Sequence, residues 1–351
     1  MYFKTKLVLL LCVINVMFVA TSQAGVVHDG KGKAVEPTPR VDVTDPVPSG
    51  KGWGHRPSDA ARDESGMTVE SMPPIDATEL MPSGKGWGQR PVNGKAGPSR
   101  TTKYTNGINY HNGPLILGTT NVYYIWYGNW SGNTAPSILN NLASSIGGSP
   151  YYGINTTYYD GQKRYVTNAV QFMGAATDNY SQGAALTDAS VKTIVANQIS
   201  SGALPRDTNA VYFVLTSADV NETSGFCTQY CGWHTYGSIA GANIKYSFVG
   251  NPDRCPSACS AQTTSPSGNA GAGGMASVIA HELAEAVTDP NLNAWYDSQG
   301  MENADKCSWK FGATYTTPNG AQANMKLGGM DYLIQQNWVN ANGGSCTLSY
   351  P

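Results

Sequence analysis

The sequence predicts an α/β fold: a single domain with a mixed sheet, one long helix and a loop-rich, disulfide-bonded C-terminal part. Three observations point there. Apolar runs of strand length alternate with amphipathic runs of helix length from about Tyr104 onward. That alternation leads to a long helical stretch ending at Asp289-Pro290. Beyond Pro290 the chain turns irregular.

Asn121 to Tyr127 (NVYYIWY) is a strand by its β-branched and aromatic content. Thr134 to Ile146 follows as a helix, with Thr134 as cap, Pro136 in the first turn, and Ile138, Leu139, Leu142 and Ile146 on one side. Ala169 to Met173 reads as a strand, and Asp188 to Ile199 as a helix through Val191, Ile194, Val195 and Ile199. Ala210 to Thr216 (AVYFVLT) is a continuous apolar run, expected to be buried on both faces. Ile244 to Val249 alternates enough to lie nearer an edge. The long helix comes next, and a weaker helix is expected around Asp331 to Val339.

The first residues set the compartment. Lys4 and Lys6 precede an apolar run from Leu7 to Ala20, and Ser22-Gln23-Ala24 is a small-x-small cleavage site. Residues 1–24 therefore read as a signal peptide, and the mature protein as secreted, soluble and monomeric. Residues 25–103 are rich in Pro, Gly and Asp and poor in large apolar side chains, which predicts a disordered linker or pro-segment. This stretch repeats itself: Pro48-Ser49-Gly50-Lys51-Gly52-Trp53-Gly54-His55-Arg56-Pro57 returns from Pro82 to Pro91, with Gln89 in place of His55. The duplication is read either as a plain linker or as a short docking or processed peptide, since Trp and Arg favour recognition. The domain proper is placed at 104–351.

Only 13% of residues are charged and the formal net charge is −2, which excludes a nucleic-acid footprint and a polybasic membrane patch. Forty glycines, twenty tyrosines and eight tryptophans suggest a polar, uncharged surface suited to a carbohydrate-rich setting. Asn129, Asn155, Asn179 and Asn221 stand in glycosylation sequons. Beyond Cys12 in the signal, Cys227, Cys231, Cys255, Cys259, Cys307 and Cys346 remain. In an oxidising compartment six cysteines read as three disulfides, with about fifteen pairings open. Local Cys-x3-Cys staples at 227/231 and 255/259 would leave Cys307 to pair with Cys346.

The chemistry concentrates on the long helix. Met275, Val278, Ile279, Leu283, Ala286 and Val287 form an apolar stripe, with Ser277, His281, Ala284, Glu285 and Thr288 opposite and Glu282 at the margin. His281-Glu282-x-x-Glu285 is one substitution from the H-E-x-x-H zinc helix. Residues i and i+4 project from the same side about 6 Å apart, so His281 and Glu285 can hold one ion. Glu282 would then take a proton from a metal-polarised water. Asp289, eight residues on, lies roughly 12 Å from His281 along a continuous helix, too far to share that ion. Glu302 is expected as the third ligand. Asp305 is expected to orient His281, and Asp289 to act outside the ligand set. His234 is a further candidate, as proton donor or extra ligand. Zinc is the expected ion, with manganese or calcium as oxygen-rich alternatives. Neither a G-x-S-x-G elbow nor a phosphate-binding glycine loop occurs.

Several segments resemble the Exordium, or phosphate-induced, family. They are Tyr110-His111-Asn112-Gly113-Pro114-Leu115, Val122 to Gly128, Phe226-Cys227 with Cys231-Gly232-Trp233-His234, Val278 to Ala286, Asn293 to Tyr296, Glu302 to Cys307 and Gln335 to Val339. The resemblance spans roughly 104–346 and implies an extracellular or cell-wall protein, in plants one associated with growth. It brings no established reaction. A more distant likeness to zincin metalloproteases is confined to the helix, with Glu285 where a second histidine is expected. A zincin-like metal-dependent peptidase is thus one expectation. A non-catalytic protein that binds cell-wall glycan or a receptor is the other.

Overall fold

The computed structural model describes residues 82–85 and 107–351. The predicted signal peptide and all of the 25–103 segment except 82–85 lie outside the described residues.

The core is a five-stranded sheet built from β1 (Thr120–Tyr127), β2 (Val170–Asp178), β3 (Ala210–Thr216), β4 (Gly232–Ile239) and β5 (Ala242–Val249). Its order is β2-β1-β3-β5-β4. β1 runs parallel to β2 and β3, β3 runs parallel to β5, and β4 is antiparallel to β5. Parallel neighbours need crossover connections, and α1 (Ala135–Ser145) and α2 (Asp188–Ser200) supply them between β1, β2 and β3. β3 is central and buried at every residue, as its unbroken apolar run demands. β5 lies one place in from the edge. Tyr124, Tyr127, Tyr152, Tyr158, Tyr212 and Tyr246 are buried, so much of the aromatic surplus fills the core instead of coating the surface.

Three elements differ from expectation. β2 runs on to Asp178, because pairing with β1 carries the weak Gly174-Ala175-Ala176 stretch beyond the predicted end at Met173. β4 was not expected. It is half of a hairpin whose two turn residues, Ala240 and Gly241, have φ of 51° and 73°, the left-handed pair such a turn requires. The helix expected at Asp331 to Val339 is instead parts of two hairpins, Met325–Leu327 with Met330–Tyr332 and Asn337–Val339 with Ser345–Thr347. Gly328 and Gly329 turn the first, both at positive φ. Cross-strand pairing there overrides a short apolar periodicity.

The long helix is α3 (Ala270–Thr288), opened by the Asn269 side chain, which accepts the Ala272 N–H. It has no solvated face in its C-terminal half: every residue from Met275 to Thr288 is buried. The polar side predicted opposite the apolar stripe is covered by C-terminal segments. The Gln335 N–H donates to Ser277 Oγ at 2.9 Å, and Asn303 Nδ2 donates to the Ala284 carbonyl at 3.4 Å.

Cys307 pairs with Cys346 and fastens the acidic 302–305 loop to the C-terminal hairpin. The two Cys-x3-Cys staples do not form. Cys227 pairs with Cys255 and Cys231 with Cys259, with Cα separations of 5.8 and 5.5 Å. The loops before β4 and α3 lie side by side, so each cysteine faces the other loop and not its own neighbour. Asn155 is also removed as a glycan acceptor. It is fully buried, and its Oδ1 accepts from Asn303 and Asn337.

Among the described residues no helix is long and apolar enough to cross a membrane.

Candidate metal centre

β4 passes beside the C-terminal half of α3, and the 302–305 loop returns to the same place. His234 from β4, His281, Glu282 and Glu285 from α3, and Glu302 from the loop are all buried, and the Asp305 side chain is only slightly exposed. Two groups of three converge: His234 with Glu282 and Glu285, and His281 with Glu285 and Asp305. Within each, the candidate ligand atoms lie within 4.8 Å of one another. Glu302 does not complete a group with His281 and Glu285; it stands against His234, its Oε1 3.5 Å from Nε2.

Hydrogen bonds separate the roles of the two histidines. Gln335 Oε1 accepts from the Trp309 N–H at 3.1 Å and Nε2 donates to the Ala304 carbonyl at 2.8 Å, which fixes the amide's orientation. The same Nε2 faces His281 Nδ1 at 3.1 Å, so Nδ1 accepts and the ring proton belongs on Nε2. Nε2 lies 3.0 Å from Glu285 Oε1 and 3.5 Å from Asp305 Oδ1. The Asp305 N–H donates to Glu285 Oε1 at 3.0 Å. The Asp305 main chain thus holds one oxygen of Glu285, with the His281 ring beside it.

His234 is arranged the opposite way. Its Nε2 faces the Asp289 carbonyl at 3.4 Å, a group that only accepts, so the proton sits on Nε2. Nδ1 then turns its lone pair to Glu282 Oε2 at 3.4 Å and Glu285 Oε2 at 3.5 Å. His234 Nδ1, both oxygens of Glu282 and Glu285 Oε2 are buried without a hydrogen-bond partner. A lone pair facing two carboxylates is repulsive unless a cation or a proton lies between them. Ligands about 2.0–2.1 Å from a tetrahedral zinc stand roughly 3.3–3.4 Å apart, close to these spacings. A ligating histidine also characteristically donates its other N–H to a carbonyl, as His234 does to Asp289. The residues fit a divalent ion.

The electrostatics agree. Burial pushes the Glu282 carboxyl up to about 7 against the pull of His234 and His281. Burial would also lift Glu285, but the His281 imidazole beside it brings it down to about 2. Burial opposes charge on His234, yet Glu302 and then Glu282 carry its pKa well above the usual histidine value. Without an ion, protons shared by His234 and Glu282 fill the gap between them. Burial likewise raises Glu302 far above the carboxylate range, and Asp289 to about 7. Asp289 Oδ1 caps the turn after α3, accepting from the Asn293 and Ala294 N–H groups at 2.6 Å each. Its carboxylate is a turn cap, and it meets the centre through its main chain.

A surface cleft lined by Cys259, Ser265, Ser277, Phe311 and Tyr332 contains none of these groups. Of the site residues, His234 was the hardest to place from sequence because β4 was missed. The Gly232 to Val249 hairpin pattern around Ala240-Gly241 was the signal that would have found it.

The chain is 31% identical over 281 residues to Protein EXORDIUM-like 5 of Arabidopsis thaliana, covering 68% of this chain and 77% of that protein. It is 32% identical over 271 residues to Protein EXORDIUM-like 3 of the same plant, covering 66% and 80%. To Protein PHOSPHATE-INDUCED 1 of Nicotiana tabacum it is 29% identical over 233 residues, covering 57% and 71%. No solved structure matches. Residues 108–332 match the profile of the phosphate-induced protein 1 conserved region, and the chain belongs to that Exordium family.

Proposed function

We propose that the chain is an extracellular protein whose fold is fastened by one buried divalent ion, held by His234 Nδ1, Glu282 and Glu285 Oε2. The observation that carries this reading is the convergence of unpartnered buried atoms from three side chains on one point. Two ionised carboxylates and a neutral imidazole make the centre with a divalent ion electrically neutral. Zinc suits one nitrogen and two carboxylates; the nitrogen counts against calcium, and manganese is the alternative. The Asp305 N–H holds Glu285 and the Asp289 carbonyl holds His234, with His281 and Glu302 beside them. Three disulfides and the family relationship support secretion.

Elemental analysis of purified protein tests the centre. One equivalent of metal is expected in the wild type, none in His234→Ala, and a reduced amount in His281→Ala. A metal-free wild type, or metal retained in His234→Ala, refutes the ligand set.

A zincin-like hydrolase is the second reading. It is supported by the main-chain bond at 2.8 Å from the His234 N–H to the Gly84 carbonyl, which pairs a short segment of this chain with β4 beside the cluster. Here the ion would lie with His281, Glu285 and Asp305, and Glu282 would take the proton of the attacking water. Peptide hydrolysis that Glu282→Gln abolishes while metal content is unchanged would favour this reading over the first.

A further inference from the structure

The short segment Pro82–Lys85 lies on the outer edge of β4, with Pro82 and Gly84 buried and Ser83 exposed. The contact is read at two points. The first is main chain: the Gly84 carbonyl accepts the His234 N–H at 2.8 Å. Gly84 has φ +66°, and a Cβ there would stand 2.2 Å from the His234 carbonyl oxygen, so no other residue fits. The second is the lysine. Lys85 Nζ lies 2.9 and 3.1 Å from the two oxygens of Asp188 and 2.6 Å from Ser224 Oγ. It also lies 4.8 Å from the centroid of the Tyr230 ring and 5.8 Å from that of Trp233.

The lysine pocket is built from behind. Ser224 Oγ contacts Asp188, Glu222 and the Tyr230 hydroxyl, and that hydroxyl donates to Glu222. Glu222 is 1% exposed, and its Oε1 has no hydrogen-bond partner. Burial works to raise Asp188, but hydrogen bonds from Ser224 and Lys85 outweigh it and hold its pKa low. Burial and then the Asp188 charge raise Glu222. Asp188 is thus the carboxylate that meets the ammonium.

Pro82–Lys85 is the start of the second copy of the repeat, and Pro48-Ser49-Gly50-Lys51 is identical to it. We propose that the groove formed by the β4 edge, Asp188, Ser224 and Tyr230 is a peptide-binding site for the Pro-Ser-Gly-Lys motif, and that the first copy is its second ligand. The features that fit residues 82–85 to the groove are its glycine, its lysine and its buried proline, all present at 48–51. Lys51 precedes Gly107 by 56 residues, a contour of up to roughly 190 Å, so reach is no obstacle. The duplication thus supplies two ligands for one groove. This inference does not rest on the ion.

The test uses the full chain and a fluorescent synthetic peptide with the sequence of residues 82–91, followed by anisotropy. Wild type, its groove already filled, is expected to take up the peptide weakly. The double variant Lys51→Ala/Lys85→Ala is expected to bind it at least tenfold tighter. Adding Asp188→Asn to that variant, or replacing the peptide's lysine by alanine, is expected to cost at least tenfold. Hydrogen exchange at the His234 amide reads the first copy separately: protection is expected to survive Lys85→Ala and to be lost in the double variant. Peptide uptake by the double variant no better than by wild type, or unchanged by Asp188→Asn, overturns the groove. Equal loss of protection in the single and double variants overturns the role of the first copy. Circular dichroism, Tm and metal content of the same preparations show whether a variant has misfolded or lost its ion, separating either failure from a failure at the metal centre.

Discussion

Removing the proposed ion is the most direct perturbation of the centre, and the structure sets the pH dependence of its effect. An ion bound with a Kd of about 1 μM and supplied at about 100 μM adds about 2.7 kcal/mol to folding. For a domain of this size that is a rise in Tm of about 5–11 °C. Protons compete for the same place. Glu282 has its pKa raised to about 7, well above the value of about 4.3 for an unfolded glutamate. Between those values the folded metal-free chain binds a proton that the unfolded chain has released, so its stability falls as pH rises through that window. The ion replaces that proton and removes the loss, so metal-bound and metal-free stabilities diverge as pH rises. At pH 5.5 the Glu282 proton alone weakens metal binding about 30-fold, and the stabilisation shrinks to about 0.9 kcal/mol. Differential scanning fluorimetry with zinc or with chelator, at pH 7.5 and pH 5.5, measures both quantities. Superimposed melting curves at pH 7.5, or a shift at pH 5.5 as large as at pH 7.5, would refute a centre built on Glu282.

The two histidines are predicted to differ. His234→Ala removes a ligand and should abolish metal-dependent stabilisation, whereas His281→Gln should weaken metal binding about 10–100-fold by loosening Glu285; competition with a chromogenic chelator reads both. Gly232→Ala would place a Cβ 2.5 Å from Val278 Cγ1 and 3.2 Å from Glu282 Oε1, pushing β4 off α3. It should lower stability by about 1–3 kcal/mol and weaken metal binding as well, measured by urea unfolding with and without zinc. Replacing Cys227 and Cys255 together by serine opens a bridge of sequence separation 28, for which loop entropy gives roughly 3.6 kcal/mol as an upper value. The parallel Cys231–Cys259 bridge already closes nearly the same loop, so the measured loss should be smaller, and removing both bridges should cost more than twice as much as removing one.

Much of the sheet was legible because its signals are local. The unbroken run of β3 and the amphipathic patterns of α1 and α2 say what they are within a dozen residues. The misses are non-local. Two cysteine loops of matching spacing look like two local staples until their packing shows that each faces the other. The C-terminal hairpins carry apolar spacing that a helix would share, and cross-strand partners decide between them. Asn155 satisfies a sequon, yet its side chain is required by Asn303 and Asn337, residues 148 and 182 positions away in sequence.

The same limit governs the centre. Helical spacing correctly places His281 and Glu285 on one side of α3, and the return of an acidic loop was also foreseeable. Spacing says nothing about which ring nitrogen carries a proton. That is decided by Gln335, fixed by Trp309 and Ala304, and by the Asp289 carbonyl at the end of α3. Gln335 gives His281 an acceptor's role at Nδ1 and so puts its proton on Nε2, 3.0 Å from Glu285 Oε1. Asp289 does the reverse for His234, leaving Nδ1 as the available lone pair. A His-Glu-x-x-Glu helix can therefore present its carboxylates to an ion while its own histidine acts as a support, provided a neighbouring strand supplies the nitrogen. Gln335→Glu separates the alternatives. An acceptor opposite Nδ1 would move the His281 proton there and free Nε2. Metal bound through His234 should then survive His281→Ala in the native background, whereas in the Gln335→Glu background the ion should come to depend on His281.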